Sequence, residues 1–213
     1  MGYFYVVLIV LGFMLVGYLI GGISNARIIC NMKGVDITKI GSGNAGGTNV
    51  GRALGKKYAV LTVVLDVLKT IIPMWTVFFI VTMTPFKDFV NNINPNIPLE
   101  VFYYSIAFAS GLGHCFPVYY HFKGGKAVSC FGGFILGTNF LLAAVSLAFF
   151  FLLVKLTKKV SLGSIFGVLF CFIVSLFLVF FPIDWPVANY VVGNWYFGNG
   201  IMFDQTYVYS ITS

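Results

Sequence analysis

Arg52 and the pair Lys123 and Lys126 are the side chains whose types and settings best suit chemistry on an anion. Arg52 ends the stretch KIGSGNAGGTNVGR (residues 39–52), and the two lysines flank glycines in GHCFPVYYHFKGGKAV (residues 113–128). A guanidinium presents a planar fork that fits phosphate with two hydrogen bonds. The glycines of the first stretch, Gly41, Gly43, Gly46, Gly47 and Gly51, let successive backbone N–H groups converge into an anion-binding nest. Thr48 or Asn49 is expected to cap a short helix carrying Arg52, whose positive N-terminal end also favours phosphate. Gly124 and Gly125 form a flexible turn between two ammonium groups. Lysines near lipid headgroups often serve as anchors alone, yet an anchor gains nothing from glycine turns of positive φ. Ligand binding is therefore the preferred reading of both loops. His114, next to Cys115-Phe116-Pro117, reads as a satisfied structural group before it reads as a catalyst, and His121 as an interfacial side chain. A third polar stretch, KKVSLGSI (residues 158–165), contributes Ser161 and Ser164.

Two familiar phosphate motifs are excluded. Gly41-Ser42-Gly43-Asn44-Ala45-Gly46 matches G-x-G-x-x-G by letter, but that fingerprint works only between a strand and a helix of a βαβ unit. Here a long apolar run precedes it. Gly51 to Lys57 is one residue short of a P-loop and ends in Lys, where Ser or Thr is required.

The elements that must position these loops are set by composition. Of the 213 residues, 59% are hydrophobic and only 9% charged, against roughly 25% charged in a soluble domain. Residues 1–26, 127–154 and 160–183 contain no charged side chain, and about 20 apolar residues cross a bilayer. In lipid a helix satisfies its own backbone hydrogen bonds, so the expectation is an all-α, polytopic transmembrane bundle forming a single domain over 1–213. The first run lacks a basic flank and an A-x-A cleavage site, and so reads as a permanent span rather than a signal peptide. Four separated cysteines, Cys30, Cys115, Cys130 and Cys171, suggest neither a zinc site nor a disulfide framework.

Spans are expected near 3–23, 59–83, 100–119 and 160–182, with the run 127–154 broken in two at Gly137-Thr138-Asn139. Short loops rich in Lys and Arg stay cytoplasmic. Placing 24–57, 120–126 and 155–160 inside gathers every basic residue there except Lys69 and Lys87. That arrangement needs two crossings, or a re-entrant hairpin, between 126 and 155. It gives about six spans, an external N-terminus and an external stretch 184–213. Asp66 and Lys69, one turn apart inside the second span, allow two readings. They are a mutually neutralising pair at a helix interface, or the polar wall of an active-site cavity.

Taken in order and spacing, GSGNAGGTNVGRALGK, GHCFPVYYHFKGGKAV and KVSLGSI, with Asp66-Val-Leu-Lys69 between them, resemble the motifs of the acyl-phosphate-dependent glycerol-3-phosphate acyltransferases, the PlsY family. The likeness runs from about residue 10 to 182. It implies a multi-pass enzyme of the bacterial cell membrane with its site facing the cytoplasm. Such an enzyme moves an acyl group from acyl phosphate to the 1-hydroxyl of sn-glycerol 3-phosphate, giving lysophosphatidic acid. By resemblance Ser42, Arg52 and Lys126 are the catalytic positions. Gly43, Asn44, Gly46, Thr48, Asn49, His114, Lys123, Gly124, Gly125, Ser161 and Ser164 line the substrate site. The implied partners are the two phosphate substrates, membrane lipid and an acyl-phosphate-producing enzyme, with no metal, cofactor or nucleic acid.

The chain departs from the pattern in places. Ala127 stands where the family usually has Gly, and Ala45 and Gly47 differ mildly. The family's seventh span and the His-x-x-Asn segment after it have no counterpart before Ser213, so a truncated chain is expected. A small-anion transporter is the competing reading, although the internal repeats usual in transporters are not evident. A membrane scaffold would leave the basic glycine loops without a purpose.

Overall fold

A computed structural model describes residues 2–180, and these form helices and turns with no strand among them. The helices are α1 (Gly2–Gly22), α2 (Asn25–Asn31), α3 (Gly47–Leu54), α4 (Lys56–Met83), α5 (Phe86–Ile93), α6 (Glu100–Cys115), α7 (Val128–Thr138), α8 (Phe140–Thr157) and α9 (Val160–Phe180). Four stretches are long and apolar enough to cross a membrane: Gly2–Asn31, Lys56–Met83, Phe140–Thr157 and Val160–Phe177. The expected break in the fourth apolar run falls at Asn139, whose side chain caps α8 by accepting from the Leu142 N–H. The two pieces are unequal. The 11 residues of α7 rise only about 17 Å, well short of the roughly 30 Å of a hydrocarbon core. The expected external stretch 184–213 and the last residues of the fifth apolar run lie outside the described residues.

The chain divides into two compact units, Met1–Phe134 and Ile135–Ser213. In the first, α6 packs on both α1 and α4. The α1–α6 seam is made by glycine. A Cβ on Gly21 would lie 2.0 Å from the Ser110 carbonyl oxygen, and one on Gly113 would lie 2.0 Å from that of Tyr18. Small residues at such spacing let two helices meet backbone to backbone, which is how helices associate where lipid removes the hydrophobic drive. Phe102, Tyr103, Ile106, Met74, Val77 and Phe78 fill the space around this seam and toward α4.

Inside α4, Pro73 cannot donate to the carbonyl of Lys69, the acceptor four residues before it. Ser110 of α6 supplies the missing donor, its hydroxyl lying 3.1 Å from the Lys69 oxygen. The polar basic stretch between α2 and α4 folds over its own small core of Ala26, Ile29, Cys30, Ile37, Ala45 and Val50. In the second unit α8 and α9 form an antiparallel hairpin around the stacked rings of Phe149 and Phe170, 4.3 Å apart. Lys158 makes the turn in a left-handed conformation.

Candidate active site

The first basic loop is shaped by glycines and held by one amide. Gly41 and Gly43 adopt φ of +55° and +68°, a region closed to most side chains. Asn49, 1% exposed, donates its Nδ2 hydrogens to the carbonyls of Ile37 (3.2 Å) and Ile40 (2.8 Å). Its Oδ1 accepts the Ser42 N–H at 3.2 Å. The helix carrying Arg52 is α3, but its N-cap is Gly46, with no side-chain cap. The expected capping by Thr48 or Asn49 gives way because both lie inside the first turn. Thr48 is exposed there, and the Asn49 amide is spent bracing the loop. Arg52 reaches back from the last turn of α3 to Gly41, where a Cβ would sit 3.3 Å from its Cδ. Ser42 is exposed, and its hydroxyl lies 3.5 Å from the Asn44 N–H. The Asn44 Nδ2 stands over Gly46, 3.0 Å from where a Cβ would be. Nearby, the Thr38 hydroxyl and N–H both donate to Asp36 and hold its carboxyl below the ordinary range.

The second loop closes the end of α6. The N–H groups of Gly124 and Gly125 donate to the carbonyls of Cys115 (3.2 Å) and His114 (3.0 Å), acceptors that a helix end leaves open. Neither glycine has positive φ; the left-handed residues here are His121, Phe122 and Ala127. The expectation of a glycine turn is corrected accordingly. These glycines are required by close approach, since a Cβ on Gly125 would lie 2.1 Å from the His114 Nε2 and 2.9 Å from the Ala45 carbonyl oxygen. The two basic loops thus touch at Gly125 and Ala45. Arg27, a residue sequence reasoning did not select, donates from Nη2 to the Lys123 carbonyl at 2.9 Å. Its guanidinium also lies over the Tyr120 ring, 4.7 Å from the centroid. Arg52, Lys123 and Lys126 are exposed, and among the described residues none of the three has a carboxylate partner.

Beneath the loops Asp66, Lys69 and His114 are buried, at 1%, 9% and 6% exposed. The Lys69 ammonium lies 3.0 Å from Asp66 Oδ1, 2.9 Å from the Ile23 carbonyl and 2.9 Å from His114 Nδ1. With Lys69 donating, His114 Nδ1 carries the lone pair and Nε2 the hydrogen. Asn25 donates to the same Asp66 oxygen at 3.0 Å, while Asp66 Oδ2 is buried without a partner. The neutralising pair is therefore present, enlarged by a histidine and by the turn that follows α1. Asn25 carried no sequence signal beyond its place at a span end.

Ser161 and Ser164 belong to the second unit. Ser161 is exposed, and Ser164 donates its hydroxyl to the Val160 carbonyl at 2.9 Å.

The fold and its long apolar helices define an α-helical, multi-pass integral membrane protein. The profile of the family described as glycerol-3-phosphate acyltransferase matches residues 11–202, and the chain belongs to that family. It is 40% identical over 164 residues to the glycerol-3-phosphate acyltransferase of Mycoplasma capricolum, a match covering 75% of this chain and 58% of that protein. The Aquifex aeolicus protein of the same name is 36% identical over 176 residues, 83% of either chain. Thus the chain spans under two thirds of the Mycoplasma capricolum relative's length. Two crystal structures of PlsY, an integral membrane glycerol 3-phosphate acyltransferase, are 35% identical and cover 80% of this chain and 76% of theirs. Their TM-scores are 0.64 for the glycerol 3-phosphate form and 0.63 for the lysophosphatidic acid form.

Proposed function

We propose that this protein transfers an acyl group from acyl phosphate to the 1-hydroxyl of sn-glycerol 3-phosphate on the cytoplasmic face of a bacterial membrane. The observation that carries the proposal is the junction at Gly125 and Ala45. It joins two basic loops whose Arg52, Lys123 and Lys126 have no carboxylate partner among the described residues. Both proposed substrates bear phosphate, so one cationic face would hold donor and acceptor with their reacting ends adjacent. The hydroxyl oxygen attacks the acyl carbonyl carbon, the bond from that carbon to the phosphate oxygen breaks, and phosphate leaves. The hydroxyl proton passes to a phosphate oxygen, directly or through Ser42. Arg52 and Lys126 stabilise the charge that grows on the carbonyl and leaving group. The acyl chain remains in the lipid beside the helices. Acyl phosphate is a reactive anhydride, so another enzyme must supply it.

Purified protein in lipid is incubated with acyl phosphate and labelled glycerol 3-phosphate. Labelled lysophosphatidic acid is the expected product. No product, together with accumulation of label inside sealed liposomes, would replace the enzyme with a transporter.

A further inference from the structure

We infer that the buried Asp66–Lys69–His114 cluster is a positioning device for the Lys123–Lys126 loop. The inference rests on the reading of that loop as a phosphate clamp. Three ionisable groups inside a membrane-spanning unit are a poor way to stabilise it. A well-packed apolar set of similar volume often does as well or better. Ionic contacts do provide direction. The three Lys69 donors point to three different places: the end of α1 at Ile23, its own helix at Asp66, and the end of α6 at His114. Apolar contact alone would let these ends slide past one another.

Two of the contacts that hold the loop lead back to this cluster. Gly125 hydrogen-bonds the His114 carbonyl and packs on the His114 ring. Lys123 is held through its carbonyl by Arg27, two residues beyond the Asn25 that binds Asp66. A shift of Lys69 would therefore move these two anchor points, and with them the ammonium groups of Lys123 and Lys126. The same shift would disturb the contact of Gly125 with Ala45 in the first loop. None of the three buried groups needs to touch substrate; each acts through the loop.

The test compares Lys69→Met, the paired replacement Asp66→Leu with Lys69→Met, and Lys126→Ala, by KM for glycerol 3-phosphate, kcat and thermal unfolding in lipid. Lys69→Met strands a buried carboxylate, so it is expected to unfold earlier and to raise KM at least tenfold. The paired variant removes that stranded charge. It is expected to melt like the parent while keeping the tenfold rise in KM, with kcat within threefold. Recovery of both melting temperature and KM in the paired variant would show a merely structural cluster and overturn the inference. Lys126→Ala separates the two readings. If it leaves KM unchanged, the clamp reading fails first. If it raises KM and the paired variant does not, the positioning role alone is lost.

Discussion

The Ser110 hydroxyl lies 3.1 Å from the Lys69 carbonyl oxygen, the acceptor that Pro73 leaves without its helical donor. A kink-forming residue in one helix is thus matched by a hydroxyl from the next, as a lipid setting demands. Replacing Ser110 with Ala should cost about 1–2 kcal/mol by leaving that oxygen bare. In a Pro73→Ala background the helix regains its own N–H, and the cost should fall by half or more. Equilibrium unfolding of the four proteins measures it, and strict additivity would refute the pairing.

Gly21 and Gly113 set the α1–α6 separation. Alanine at either position drives a methyl group into a carbonyl oxygen, and a loss of about 2–3 kcal/mol is expected from the forced separation. Gly12 has nothing near its missing Cβ, so Gly12→Ala is the control and should be neutral or mildly stabilising in the same unfolding measurement.

Ala127 sits at φ of +53°. Left-handed backbone costs an alanine about 1–2 kcal/mol, and Gly would give back part of that through the freer unfolded chain. The first term is larger. Ala127→Gly should therefore stabilise by about 0.5–1 kcal/mol, read as a raised melting temperature.

Asn49 holds the first loop through both ends of one amide. Asn49→Asp keeps the acceptor for Ser42 but loses both donors, and Asn49→Ala loses all three bonds. KM for glycerol 3-phosphate should rise in the order parent, Asp, Ala, reaching at least tenfold. Equal effects in the two variants would mean that the donors to Ile37 and Ile40 do not shape the site.

Arg52→Ala should lower kcat/KM for the acyltransfer by about a hundredfold, roughly 2.7 kcal/mol of lost charge stabilisation. Arg52→Lys should recover only part, because a point charge does not reproduce the fork. Unchanged kinetics in Arg52→Ala would remove it from the site.

Much of this was open to reading from the residues. Long uncharged runs dictate helices wherever backbone groups cannot meet water. The break at Gly137-Thr138-Asn139 was visible because placing the basic loops on one face needs two crossings, or a hairpin, between 126 and 155. Glycine and basic residues announced the two loops by composition alone. The roles of individual residues were less open. Gly124 and Gly125 suggested a turn of positive φ, yet they serve by closeness to His114 and Ala45. Asn49 looked like a capping or ligand-facing residue and proved to be a brace.

What the sequence determined by itself is local: which segments are helical, where they break, and which loops carry charge. Each of these depends on a residue and its near neighbours along the chain. The tertiary structure decided how Lys69 is shared with the distant Ile23 and His114, and which carbonyl Ser110 completes. It also decided that the two basic loops meet at a glycine. These relations join residues tens of positions apart, and they are set by how closely helices pack. A missing side chain matters there only because of what lies opposite it, and that neighbour leaves no mark in the order of the residues.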